Sequence, residues 1–176
     1  MKKSVNILGA TYKILYKNEP WIIPNISETT VGSCDSANKV ITLLTTADYH
    51  TLLHEITHAY LYESGLLNYS GDECLVEWIA RNCEKICIAY GKWIPSSKAI
   101  DISGRCYKLI NTNNDSCEIL NYRSEIKVPK NAASTSRTYI IILGWLWESG
   151  LDLYSEDETL LNWLVATIPK IVMSGE

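Results

Sequence analysis

Twenty-seven residues of this chain occur twice. "YLYESGLLNYSGDECLVEWIARNCEKI" covers 60–86 and "WLWESGLDLYSEDETLLNWLVATIPKI" covers 145–171; they align without a gap at an offset of 85, with 13 of 27 positions identical. Unrelated segments of average composition would share about two. A weaker match precedes each copy. "VNILGATYKIL" from Val5 resembles "IDISGRCYKLI" from Ile100, with Gly9 on Gly104 and the pair Tyr12-Lys13 on Tyr107-Lys108. A duplicated stretch of this length folds into one kind of unit twice, which constrains the architecture more than any single motif. One unit is read over residues 1–95 and the other over 96–176. The seam falls in "GKWIPSSKAI", where Gly91, Pro95 and two serines supply breaker chemistry.

Each unit is β-rich first and helical afterwards. Val5–Leu8 and Tyr12–Tyr16 are β-branched or aromatic runs around a glycine-containing break, as in a hairpin, and Lys39–Leu44 is a further strand. From Asp48 to about Ser64, Leu52, Leu53, Ile56, Ala59, Tyr60 and Leu61 fall at helical spacing, with Asp48 as N-cap and Gly65 as stop. "SGDE" from Ser70 and "SEDE" from Ser155 have the form of a capping box, so a second helix opens in each unit. The first of these should run to Tyr90 or Gly91. In the second unit, strands are expected near 100–102, 106–110, 117–121 and 125–128, and helices near 136–149 and 156–172, with "NAASTSR" as a loop. The expected fold class is α+β: a small antiparallel or mixed sheet packed on two helices, the unit repeated in tandem. Such a chain suits a monomer with an internal pseudo-dimer better than a homo-oligomer.

All three histidines, His50, His54 and His58, lie within nine residues. His54-Glu55-Ile56-Thr57-His58 is the H-E-x-x-H pattern. On a helix, positions i and i+4 sit about 40° apart and about 6 Å along the axis. The two imidazoles can therefore share one zinc ion. Glu55 is not a ligand in this arrangement; it can take a proton from the water the ion activates. Zinc needs a third protein ligand and an open fourth position. The next helix offers Glu73 and Glu77, four apart and on one face. His50, one turn before His54, reads as a partly exposed residue of the first turn.

The two copies test one another. At the offset of 85, His50, His54, Glu55 and His58 fall on Thr135, Tyr139, Ile140 and Leu143. The second copy lacks the metal ligands, and its helix "RTYIIILGWLW" is apolar enough to be buried. Glu73 falls on Glu158, whose survival a capping box would explain. Glu77 falls on Asn162, so it changed together with the histidines. On the residues alone, both carboxylates stand as candidates for the third ligand.

"TLLHEITHAYLYESGL", "DECLVEWIARNCEKI" and "VNILGATYKI" resemble the gluzincin zinc metallopeptidases over about the first 90 residues. The narrower likeness is to small phage and prophage proteins with a minimal gluzincin core, distantly similar to the peptidases that cleave repressors in mobile elements. This resemblance implies Zn²⁺ held by His54, His58 and Glu73, with Glu55 as general base. It makes Glu77 the acidic residue that braces a ligating histidine, although the family pattern has Asp there. It also implies a protein or peptide substrate, laid along the strand near Lys39–Leu44 as the edge of the sheet. The alternative is a non-catalytic, zinc-stabilised binding protein of phage origin that acts on a host defence protein or repressor.

Composition narrows the remaining classes. A net charge of −4 and a pI near 5.4 argue against nucleic-acid binding through a basic surface. The apolar run after "MKK" is broken by Asn6 and Gly9, too short for a signal peptide, and no run of about 18 apolar residues could span a membrane. A cytoplasmic protein is expected, in the bacterial host if phage-encoded. The six cysteines are then expected as reduced thiols.

Overall fold

A computed structural model describes residues 2–22, 29–92, 98–114 and 116–176. The first half opens with a hairpin of β1 (Ser4–Ile7) and β2 (Ala10–Lys17), antiparallel across Leu8 and Gly9. Both turn residues have positive φ, 51° and 93°, as a tight turn between twisted strands requires. A short ribbon follows, β3 (Trp21–Ile22) with β4 (Thr29–Thr30). β5 (Gly32–Asp35) then pairs antiparallel with β6 (Val40–Leu44), and β6 pairs parallel with β2. The sheet order is β1-β2-β6-β5. Helix α1 (Tyr49–Glu63), the single turn α2 (Leu67–Ser70) and helix α3 (Glu73–Lys92) complete the set.

The second half repeats this plan. β7 (Ala99–Ile102), β8 (Arg105–Thr112), β9 (Glu118–Leu120) and β10 (Glu125–Pro129) form a sheet of order β7-β8-β10-β9. Its pairings are again antiparallel, parallel and antiparallel. α4 (Ser134–Glu148) and α5 (Glu158–Gly175) follow. The protein is thus α+β, with two mixed four-stranded sheets, each packed with helices, in roughly repeated halves.

The repetition reaches the backbone. Leu8 and Gly9 match Ser103 and Gly104, Lys39 matches Ser124, and Gly65 matches Gly150; all eight have positive φ. It also reaches a buried network. Tyr12 donates to Glu63 at 2.6 Å, and Lys39 pairs with the same carboxylate. In the second half Tyr107 donates to Glu148, and Arg105 pairs with it at 3.0 Å. Arg105 stands where Ala10 does, and Ser124 stands where Lys39 does. The cation has moved from the turn before the central strand to the start of the hairpin's second strand while the Tyr–Glu pair stayed, and Arg105 Nε now donates to Ser124 Oγ at 2.9 Å. A half-buried carboxylate needs one cationic partner, and either position can supply it.

One difference is an insertion. From the end of β2 to the start of β6 the step is 40 − 17 = 23 residues; from the end of β8 to the start of β10 it is 125 − 112 = 13. The ten extra residues accompany the β3–β4 ribbon, which has no counterpart among the described residues of the second half.

Several sequence expectations need correction. β6 is not an edge strand: it is paired on both sides, and β5 is the edge. The Ser-x-x-Glu boxes do not form. Asp72 and Asp157 cap instead, accepting from Leu75 N at 3.2 Å and Leu160 N at 2.9 Å, because Ser70 is itself in a helical turn. Ser134–Arg137, expected as loop, is the first turn of α4. The Asp48 cap does form, accepting from Thr51 N at 2.8 Å.

The chain divides into two compact units: Met1–Cys83 with Lys170–Glu176, and Glu84–Pro169. The seam expected at 95/96 lies outside the described residues. Within the first unit the last turn of the chain packs beside α1. Tyr60 Oη lies 2.9 Å from Ser174 Oγ, and a Cβ on Gly175 would fall 2.7 Å from Leu53 Cδ2. Among the described residues no helix is long and apolar enough to cross a membrane, and none of the six cysteines is in a disulfide.

Candidate metal centre

α1 packs beside β1, β5 and β6 and buries Leu52, Leu53, Ile56, Ala59, Tyr60 and Leu61 within its own unit, which fixes its rotation. His54 and His58 then lie together on a less buried face, their ring centroids 4.8 Å apart. α3 begins at Glu73, and its first two turns bring Glu73 and Glu77 to the same place.

Each imidazole is held from behind. His54 Nδ1 lies 3.1 Å from Glu77 Oε2, and His58 Nδ1 lies 2.7 Å from the Ser70 carbonyl oxygen. Both partners are acceptors, so with a cation facing Nε2 each ring would carry its proton on Nδ1 and offer a lone pair on Nε2. The two Nε2 atoms are 3.1 Å apart. Glu73 closes the triangle, with Oε2 3.2 Å from His54 Nε2 and Oε1 3.6 Å from His58 Nε2. Zinc–nitrogen and zinc–oxygen bonds of about 2.0–2.1 Å in a tetrahedron put ligand atoms roughly 3.4 Å apart. The donor set has the spacing and chemistry for such an ion. Among the described residues, His54, His58 and Glu73 form the one group able to hold a metal ion.

Charge supports that role. Burial pushes the His58 imidazolium down, Glu73 partly offsets this, and His54 adds to it; the neutral, ligating form is favoured. Partial burial would raise Glu77, but Arg81, His50 and His54 together hold its carboxyl below the usual range. Glu77 therefore stays an anion that steadies His54, while its Oε1 is taken by Arg81 Nε.

Glu55 is placed differently. It is only 6% exposed, and its side chain borders a cavity of about 380 Å³ shared with Gly32, His50, His54, Glu77 and Arg81. Burial, with Glu73 nearby, pushes its carboxyl up to about 8. Thr30, in β4 of the inserted ribbon, and Val31 next to it form part of the cavity wall. His50 also lines it. Its Nε2 is 3.4 Å from Glu77 Oε2 but is shielded from water without a hydrogen bond. A Cβ at position 32 would stand 2.6 Å from Glu55 Oε1, so a larger residue there would have to displace the Glu55 side chain. Neither Gly32 nor the involvement of Arg81 was read from the sequence. Aligning the copies carries a signal for Gly32: where Ile140 replaces Glu55, Cys117 replaces Gly32.

The Glu55 shift has a consequence for the metal-free protein. Between its ordinary value of 4.5 and about 8, the unfolded chain has lost this proton while the folded chain keeps it. Its contribution to stability is complete below 4.5 and is lost as pH rises to about 8, at up to about 1.4 kcal/mol per pH unit. His58 works in the opposite sense below its ordinary value of 6.5, so wild type alone gives a composite curve. Metal-free Glu55→Gln should remove the Glu55 slope. Its melting temperature should gain on wild type from pH 4.5 to 8 and then hold a constant difference. A difference independent of pH would contradict a buried, neutral Glu55.

No protein-family model, curated protein or solved structure matches this chain. The metal-binding reading therefore stands on the geometry of these side chains.

Proposed function

We propose that the protein is a zinc-dependent metallopeptidase with Glu55 as its general base. One arrangement carries this reading: two histidines with Nδ1 tied back and Nε2 converging on Glu73, beside a buried carboxyl that opens onto a cavity. When bound, zinc would lower the pKa of a water and polarise the scissile carbonyl. A cation among these donors would also draw the Glu55 pKa down from about 8, leaving a carboxylate whose affinity for a proton suits neutral pH. Glu55 then accepts the proton of the attacking water and passes it to the leaving amine. Glu77 and the Ser70 carbonyl keep the two rings in orientation. β5, bonded to β6 along one side only among the described residues, offers its outer edge to an extended substrate. Gly32 on that edge leaves the space in which Glu55 sits.

The reading is tested with the purified chain and an unfolded, alkylated casein. Hydrolysis should disappear on exhaustive chelation and return with one equivalent of zinc. Cleavage that persists in fully metal-free protein, or never occurs in the zinc-loaded protein, would sink it.

Gly32→Ala probes the same site from the substrate edge. The added methyl cannot share space with Glu55 Oε1, 2.6 Å away, or with Thr51 Cγ2, 2.9 Å away. Displacing a catalytic group by about 1 Å can cost on the order of 100-fold. A fall in kcat/KM of at least tenfold is expected, with zinc content unchanged. An unaltered rate would mean that Glu55 does its work from another position.

A further inference from the structure

We propose that the second unit binds an extended peptide through an uncharged, apolar side chain and does not cleave it. The choice of a peptide rests on the peptidase reading of the first unit. The site is a cavity of about 420 Å³ formed by residues on α4 and α5 and around the edge strand β9. Cys117, Thr135, Tyr139, Ile140 and Asn162 border it. They stand 85 residues after Gly32, His50, His54, Glu55 and Glu77, which border the metal-side cavity. The catalytic groups are gone from this copy, but the cleft is still there.

Its chemistry has changed in one direction. Ile119, Ile140, Leu143 and Val165 provide apolar surface, hydroxyl and amide groups provide hydrogen bonds, and among the described residues no Asp, Glu, Lys, Arg or His lines the space. A cleft with no further use would gain dispersion energy by filling with larger side chains, since interiors pack closely. This one kept a volume within the roughly 300–1,000 Å³ typical of ligand sites. One large aliphatic or aromatic side chain and its adjoining backbone match that space. One feature favours a peptide. β9 pairs with β10 alone among the described residues, as β5 pairs with β6 alone, so a further strand can add along its outer side.

The test uses the zinc-loaded full chain carrying Glu55→Gln, so that nothing is turned over. The probes are blocked, fluorescent hexapeptide pools with Leu, Phe, Asp or Lys at one fixed position and uncharged residues elsewhere. Anisotropy should give at least tenfold tighter binding for the Leu and Phe pools than for the Asp and Lys pools. Leu143→Arg and Asn162→Arg should each weaken that binding at least tenfold. The same substitutions in the Glu55 background should leave zinc content and casein hydrolysis unchanged. Asn162 is exposed, so its variant reports even if the Leu143 variant does not fold. Binding indifferent to both substitutions, or a preference for the charged pools, would overturn the proposal. Hydrolysis without arginine-sensitive peptide binding sinks this inference alone. Arginine-sensitive binding without hydrolysis sinks the peptidase reading alone.

Discussion

Glu55→Gln should lower kcat/KM by roughly 100- to 10,000-fold, the range a positioned general base supplies, and leave zinc binding intact. Glutamine keeps the volume of the side chain and can still orient a water, but it cannot take the proton. The separation of effects follows from the structure. Glu55 is outside the His54–His58–Glu73 group, so its loss removes no donor to the ion. It is buried beside Gly32, so the isosteric amide fits where a longer or branched residue would not. The swap also removes a buried acid, and metal-free Glu55→Gln should therefore be more stable than wild type near pH 8 while being far less active. Metal content and kcat/KM measured on one preparation check both halves. Activity above about a tenth of wild type would assign the base elsewhere, and His50, in the same cavity with Nε2 near Glu77 but without a hydrogen bond, would be the next group to mutate.

The site was legible because helical periodicity is strict. Five letters, His54 to His58, fix two imidazoles on one face, and the apolar residues of α1 fix which face remains for chemistry. The repeat exposed the architecture for a similar reason: equal spacing requires equal elements. It held more than was taken from it. The strand expected at 117–121 projects back by 85 residues to 32–36, which is β5, yet Gly-Ser-Cys-Asp has too little β propensity to be noticed alone. Val40–Leu44 reads as a strand unaided because Ile41, Leu43 and Leu44 are buried, but its place between β2 and β5 shows only in the pairing. The caps were misplaced by a two-residue competition between Ser70 and Asp72. Only the short turn of α2, which places Ser70 against His58, decides it. Ligand-side contacts made by backbone, such as the Ser70 carbonyl on His58, leave no trace in residue identity.

The third ligand is where sequence and structure bear on one another most closely. His58→Ala and Glu73→Ala should each weaken zinc binding by about 1,000-fold or more. A structural zinc site is worth roughly 10–16 kcal/mol, shared among few ligands. Glu77→Ala should weaken it by only about 10- to 100-fold, the usual cost of losing a partner that orients a ligand. The two carboxylates sit on opposite sides of one ring. Glu73 meets His54 at Nε2, the nitrogen that also faces His58; Glu77 meets it at Nδ1. An ion on the Glu77 side would lose His58, whose own Nδ1 is held by the Ser70 carbonyl. Arg81 also occupies one oxygen of Glu77, so ligation there would bring a dication towards a guanidinium. The second copy fits this assignment. Asn162 and Ala166 replace Glu77 and Arg81 together, as expected of a bracing pair with nothing left to brace. Glu158 persists at the first position of α5, where a helix N-terminus favours a carboxylate with or without a metal. Equilibrium competition against a chromophoric zinc chelator ranks the three variants, and a larger loss for Glu77→Ala than for Glu73→Ala would reverse the assignment.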